Sequence, residues 1–313
     1  MSKSVLTLTA NPAIDRIILV DRLVFEDRAY ILSTSDGAGG RGINAARVVT
    51  SFGAKATALT FSGGECGRDF EKYLEQDEFA RKIVKIGENI RINLTITDRQ
   101  GLSMKLNEVG PTVSERELAQ LRKAVEKLLG GASWVMLCGS LPRGVDPRFY
   151  TDVIRSAGTR KVQTLLDTDG DPLVYGLEAG PDLVKPNQQE AERLLNTALI
   201  TRSHSLEAVQ KIKAMGAHRA VLSLGSRGAV AAAPEGVFEV VPPRVDALSP
   251  IGAGDALGAA LVWALDTGKT FVEALRWGVA AGTASSVLPG SKLAALDDAK
   301  KLYSQVQVSA IPT

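Results

Sequence analysis

The chain has 313 residues, 45% of them hydrophobic and 23% charged, a balance that suits a large globular core. Lys and Arg number 37 against 35 Asp and Glu, and a net charge of +2 is too small to mark a nucleic-acid or membrane surface. The chain has 2 histidines, His204 and His218, which argues against a histidine metal site or a Ser-His-Asp triad; carboxylates, backbone amides, Lys and Arg are left to carry any chemistry.

In chain order, Met1-Ser2-Lys3-Ser4 leads into an apolar, β-rich run at 5–8. It lacks the long apolar region and small-residue cleavage site of a signal peptide. Residues 17–35 alternate apolar and polar side chains, the pattern of antiparallel strands with one solvated face. A helix is expected over 43–52 and a buried strand over 56–61. Alternation returns at 91–106, as in Arg91-Ile92-Asn93-Leu94-Thr95-Ile96-Thr97, with a hairpin turn at Asp98-Arg99-Gln100-Gly101. Helices over 115–129, 147–156, 188–195 and 205–215 then interleave with buried strands at 134–138, 162–166, 183–185 and 220–224. From Asp255 onward helix dominates, through 265, then over 272–287 and 297–305.

That alternation predicts one α/β domain over 1–313, built on a mainly parallel sheet. Two segments, at about 15–36 and 89–108, would form a small sheet folded over it. No stretch approaches the roughly 18 apolar residues of a membrane span. Cys66 and Cys138 lack metal-ligand spacing and suit a reducing, cytoplasmic setting.

The strongest local signal is Ser249-Pro250-Ile251-Gly252-Ala253-Gly254-Asp255, which runs directly into a helix. Small residues at a helix start let backbone N–H groups converge on an anion, with the helix dipole behind them. An Asp in such a place is either a cap or a group that must meet a proton. Gly37-Ala38-Gly39-Gly40-Arg41-Gly42 satisfies the G-x-G-x-x-G spacing of a dinucleotide site, but the next strand, 56–61, lacks the acid that would hold a ribose. Arg41 and Asn44 instead suggest a floor for a polar, anionic ligand. Lys185-Pro186-Asn187-Gln188-Gln189-Glu190 reads as a capping box, or as Asn187 and Glu190 organising a Mg²⁺-bound water shell. Ser223-Leu224-Gly225-Ser226-Arg227-Gly228 is a strand-end turn of the kind that lies along a nucleotide. Gly268-Lys269-Thr270 imitates the tail of a Walker A loop, but Trp263 stands at its first glycine and a helix precedes it.

Taken in order, these elements resemble the ribokinase-like carbohydrate kinases, specifically the phosphofructokinase B branch, over essentially the whole chain. The matching stretches are Thr9-Ala10-Asn11-Pro12-Ala13-Ile14-Asp15, Gly39-Gly40-Arg41-Gly42-Ile43-Asn44, Gly139-Ser140-Leu141-Pro142, Lys185-Pro186-Asn187 with Glu190, and Gly252-Ala253-Gly254-Asp255. The resemblance implies a three-layer sandwich with a small antiparallel β lid, and a homodimer formed through that lid. It places a sugar at Asp15, Gly39, Gly40, Asn44, Arg91 and Ser140. Arg41, Lys105 and the lid residue Arg28 fall on basic family positions that would meet a sugar phosphate. ATP would lie along Lys185, Asn187, Ser223, Gly225 and Gly228, its γ-phosphate over Gly252, Ala253 and Gly254, with Mg²⁺ near Glu190 through water. By the same resemblance Asp255 would be the base, and a K⁺ ion would sit near Ser249, Ile251 and Gly290. Pro250 and Ala38 depart from the common Thr and Pro at those positions.

The implied activity is ATP-dependent phosphorylation of a ketohexose phosphate to the 1,6-bisphosphate. The runs 91–94 and 106–111 look more like those of 1-phosphofructokinases, with 6-phosphofructokinase and tagatose-6-phosphate kinase as alternatives. Two other classes stay open: an NAD-dependent oxidoreductase, and a sugar-phosphate-binding protein without turnover.

Overall fold

Apolar runs free of alternation belong in strands covered on both faces, and the structure puts them there. The computed structural model describes residues 3–24 and 26–312. The first half contains β1 (Ser4–Thr9), β2 (Ala13–Val20), β3 (Ile31–Gly39), α1 (Arg41–Ser51), β4 (Ala56–Gly63), α2 (Gly64–Leu74), β5 (Ala80–Ile86), β6 (Arg91–Asp98), β7 (Ser103–Asn107), α3 (Glu115–Leu129) and β8 (Ala132–Cys138). Next come α4 (Phe149–Thr159), β9 (Gln163–Asp167), α5 (Gly170–Glu178), β10 (Leu183–Val184), α6 (Gln188–Leu195), α7 (Arg202–Ala214) and β11 (Arg219–Ser223). The chain closes with β12 (Ala229–Ala233), β13 (Gly236–Val241), α8 (Ala253–Asp266), α9 (Phe271–Ser286), α10 (Leu296–Tyr303) and β14 (Gln307–Ile311).

A 10-stranded sheet runs β14-β13-β12-β11-β10-β9-β8-β1-β4-β5. Its pairings from β5 to β11 are parallel, and those from β11 to β14 antiparallel. After β1 the chain builds outward through β4 and β5, then returns to β8 on the other side. The reversal makes a crevice at the carboxyl ends of β1 and β8, where α/β sheets bind ligands. β1, β4 and β8 are almost wholly buried.

The second sheet is four-stranded, β3-β2-β6-β7. Its outer pairs, β2–β3 and β6–β7, are antiparallel, while the middle pair β2–β6 runs parallel. The expected hairpin turn is present: Asp98 Oδ1 accepts from the amides of Gln100 and Leu102, each at 2.9 Å. Apolar side chains stand exposed at the strand ends of this sheet: Ile31 on β3 63%, with Tyr30 63% and Leu102 59% in the adjoining turns.

A local cap settles one sequence ambiguity. Thr270 caps α9 in a capping box with Glu273, so the Walker-like Gly268-Lys269-Thr270 is a helix start. His204 and His218 are both exposed, away from the crevice strands. Among the described residues, no helix is long and apolar enough to cross a membrane.

Candidate active site

The site begins with the backbone at the start of α8. Gly252 adopts φ 74°, a left-handed turn that side-chain-bearing residues avoid, and α8 opens at the next residue. First-turn amides have no intrahelical acceptor; Ala253 N–H makes a long 3.4 Å bond to the Pro250 carbonyl, and among the described residues the amides of Gly254 and Asp255 are left without a backbone acceptor. Behind them the helix is buried from Ala256 to Ala264. Its small residues leave room for one long side chain: a Cβ on Gly258 would lie 3.1 Å from Lys185 Cε, and one on Gly254 3.8 Å from Lys185 Nζ. Lys185 therefore runs beneath the helix start, with its ammonium under the amide cradle.

Asp255 projects from that first turn. Its Oδ2 accepts from Asn44 Nδ2 at 2.8 Å, which binds α8 to α1. Burial, then the negative charge of Asp167, pushes its pKa from 3.8 up to about 6, against the pull of Asn44, Arg41 and Lys185. A carboxylate poised there is charged at neutral pH yet basic enough to take a proton.

Below Asp255 lies a closed charge network. Asp167, the last residue of β9, is held by Arg41 Nη1 at 2.7 Å and Lys185 Nζ at 3.1 Å. Both cations hold its carboxyl below the usual range despite burial. Glu190 Oε1 takes Arg41 Nη2 at 2.7 Å, and its Oε2 takes the Asn187 amide at 2.8 Å. The capping box read from the sequence is thus real, with Asn187 Oδ1 accepting from the Glu190 amide at 2.9 Å. Arg41, expected to floor a sugar phosphate, is committed instead to two acids. Asp167 went unnoticed in the sequence, although it stands where a buried apolar run ends in a charge at a strand's carboxyl end.

A second cluster lies at the joint with the small sheet. Asp15, on β2, accepts from Asn93 Nδ2 at 3.1 Å, and burial raises its pKa. A Cβ on Gly39 would fall 2.1 Å from Asp15 Oδ2, so only glycine lets that carboxylate lie flat on β3. Gly40 follows as the N-cap of α1. Arg91 donates to the carbonyls of Asn11 at 3.0 Å and Glu108 at 3.1 Å. Asn11 Nδ2 reaches Ser140 Oγ at 3.2 Å. Three buried atoms here, Asn11 Oδ1, Asn93 Oδ1 and Arg91 Nε, have no hydrogen-bond partner. Buried polar atoms are rarely left so, and these three could meet a polar ligand. A cleft of about 620 Å³ adjoins Arg91, Glu108 and Gly110 without reaching Asp255. Lys105 is exposed on β7, its charge felt at Asp15. Arg28 is exposed in the β2–β3 connection.

On the other flank, Asn187 pairs with Ser223 across the ends of the parallel strands. Gly225 opens into free space at φ 62°, whereas a Cβ on Gly228 would strike Val240 O at 2.0 Å. Gly225 is therefore open to a ligand, and Gly228 serves the turn itself. Ser249 Oγ donates to Gly290 O at 2.6 Å and accepts from the Ile251 amide at 3.3 Å, so these three residues also converge. The dinucleotide reading fails on topology. Its glycine turn follows β3, a strand of the small sheet, and Glu65 lies exposed beyond β4 beside Arg68.

Comparison with known proteins agrees with this geometry. The 1-phosphofructokinase of Borreliella burgdorferi is 32% identical over 308 residues, covering 98% of this chain and 99% of that protein. The ATP-dependent 6-phosphofructokinase isozyme 2 of Escherichia coli is 33% identical over 300 residues, covering 95% and 97%. Escherichia coli phosphofructokinase-2, crystallised in complex with substrates and products, superposes with a TM-score of 0.90 at 32% identity, over 96% of this chain and 99% of that one. The model of the pfkB family carbohydrate kinases matches residues 5–295, from β1 to the loop before α10, and the chain belongs to that family.

Proposed function

We propose that the protein transfers the γ-phosphoryl group of ATP to a free hydroxymethyl group of a ketohexose phosphate, giving the 1,6-bisphosphate. The observation that carries this reading is Asp255 on the first turn of α8, beside the acceptor-free amides of Gly254 and its own residue and above Lys185. Phosphoryl transfer needs little covalent help from protein: an aligned acceptor, a base near its hydroxyl, and positive charge around the moving group. Asp255 supplies the base. The amides of Ala253, Gly254 and Asp255 and the Lys185 ammonium supply the charge.

The sugar is assigned to Asp15, Gly39, Gly40, Asn44, Arg91 and Ser140, where the unsatisfied atoms of Asn11, Asn93 and Arg91 would meet its hydroxyls. Arg91 and Lys105 are the cations offered to its phosphate, since Arg41 is engaged elsewhere. The nucleotide is assigned to Lys185, Asn187, Ser223 and the open turn at Gly225. The oxygens of Ser249 and Gly290 suit K⁺, which would brace the turn that begins α8. Mg²⁺ is assigned to Glu190 through water, since direct coordination fits the chain less well. Both oxygens of Glu190 and both of Asp167 already have protein donors, and among the described residues no group of three or more His, Cys, Asp or Glu is placed to hold a metal.

Two further assignments follow. The small sheet, with Tyr30, Ile31 and Leu102 exposed, is proposed as a homodimer contact, and the free thiols Cys66 and Cys138 suit the cytoplasm. Fructose 1-phosphate is the preferred substrate, on the likeness of 91–94 and 106–111 to 1-phosphofructokinases. A coupled assay of ATP turnover against fructose 1-phosphate, fructose 6-phosphate and tagatose 6-phosphate tests the assignment. Turnover with none of the three would remove it.

A further inference from the structure

We infer that Arg41 is a positioning residue whose guanidinium stands between Asp167 and Glu190 as a built-in cation, closing the space a divalent metal would need. Asp167 comes from the end of β9 and Glu190 from the first turn of α6, yet their carboxylates converge, with side chains 3% and 2% exposed. Two buried carboxylates aimed at one place repel unless a cation lies between them. Here the two terminal nitrogens of one planar group serve both, each at 2.7 Å.

The remaining oxygens are also occupied. Lys185 Nζ lies 3.1 Å from Asp167 Oδ2, and the Asn187 amide 2.8 Å from Glu190 Oε2. Two positive charges therefore match two negative ones, and every carboxylate oxygen has a donor. Mg²⁺ demands oxygens at about 2.1 Å in near-octahedral array, which cannot form while Arg41 spans the pair. The protein's own cation thus does the work of neutralisation. Metal then enters only on the phosphates of the nucleotide, a corollary that rests on the kinase reading, whereas exclusion from the nucleotide-free site does not.

The same contact orients the base. Arg41 begins α1 and Asn44 follows three residues later, one turn along the same helix face. Anchoring Arg41 to β9 and α6 fixes the rotation of α1, and with it the amide that Asn44 presents to Asp255 at 2.8 Å.

The test is a Mn²⁺ titration of nucleotide-free protein, following the electron paramagnetic resonance signal of the free ion. Wild type is expected to show no tight site. Arg41→Gln should gain one that is at least about tenfold tighter, because two facing carboxylates then keep Lys185 as their one remaining cation. Arg41→Lys should keep the ion out, and adding Glu190→Gln to Arg41→Gln should abolish the new site. A tight site in the nucleotide-free wild type overturns the inference, and this result needs no variant to fold. So does a folded Arg41→Gln protein, verified by its thermal melt, that gains nothing. Turnover of sugar phosphates is measured separately, so failure here and failure of the kinase reading are distinct results.

Discussion

Replacing Asp255 by Asn should make the enzyme both slower and more stable. Asn has the same shape and can still offer its oxygen to Asn44 Nδ2, now 2.8 Å from Asp255 Oδ2, so the fold should tolerate it. It cannot accept a proton, and loss of a positioned base lowers kcat by about 10²–10⁴. Stability moves the other way. A folded pKa of about 6 in place of 3.8 means that the protein disfavours the charged form. One pH unit of pKa is 1.36 kcal/mol, which puts the destabilisation at neutral pH near ~3 kcal/mol as an upper bound. The sign is fixed by linkage. A carboxyl whose folded pKa is raised destabilises above that pKa, and the effect fades as pH falls through about 6 towards 3.8. The Asp255→Asn substitution removes it, raising Tm at neutral pH by about 3–5 °C for a chain of this size. In wild type kcat/KM should fall about tenfold per pH unit below about 6, as Asp255 protonates. Melting curves at pH 5 and pH 8, with initial rates of the two proteins, measure all of this. Turnover within tenfold of wild type, or an Asn variant that melts lower at pH 8, refutes the reasoning.

Arg91→Ala should raise KM for the sugar phosphate by about 10–100-fold while KM for ATP changes little, the worth of a charge-assisted contact; equal loss for both ligands counts against Arg91 as a sugar-phosphate residue. Gly39→Ala would place a Cβ 2.1 Å from Asp15 Oδ2, so the carboxylate must swing away and sugar affinity should fall at least about tenfold by calorimetry. An unchanged affinity would show that Asp15 does not hold the sugar. Ile31→Asp, at a site 63% exposed on the small sheet, should convert a dimer to a monomer in light scattering, since a charge cannot be buried unpaired in an apolar contact. A wild type already monomeric would end the lid-dimer proposal.

The parallel half of the sheet was readable because its strands are continuous apolar runs, Trp134-Val135-Met136-Leu137-Cys138 being one, set between helical patterns. The antiparallel extension was not. β12 is Ala-Val-Ala-Ala-Ala, whose small side chains carry neither helical nor strand periodicity, and β14 follows the last expected helix, 297–305, where no strand was expected. The middle pair of the small sheet, β2–β6, is parallel although each strand alternates as antiparallel strands do. Alternation reports which face is wet, not which way the neighbour runs. α2 and α5 were missed as well. α5 opens with Gly170-Asp171-Pro172, which reads as a loop until one sees that a proline in the first turn suits a helix start.

The site shows the same division. Asp255 and the glycines before it were legible because adjacent residues supply both the cradle and the base. What chain order could not reveal is the partnership of Arg41, Asp167, Lys185 and Glu190, which come from α1, β9, the turn after β10 and α6. Yet that partnership gives Asp255 its character. The four charges cancel within the network, so Asp255 is left with Asn44 as its hydrogen-bond partner. Had Lys185 or Arg41 paired with Asp255 directly, its pKa would sit low and the carboxylate would be a poor base. Engaged by Asp167, they pull less on Asp255, whose pKa burial and then the Asp167 charge raise, while Lys185 still lies under the helix start. Burial thus does most to raise the proton affinity of the proposed base, Asp167 adds to it, and Arg41 and Lys185 hold it back, so substitutions within this network should act on the pH profile before they act on the fold.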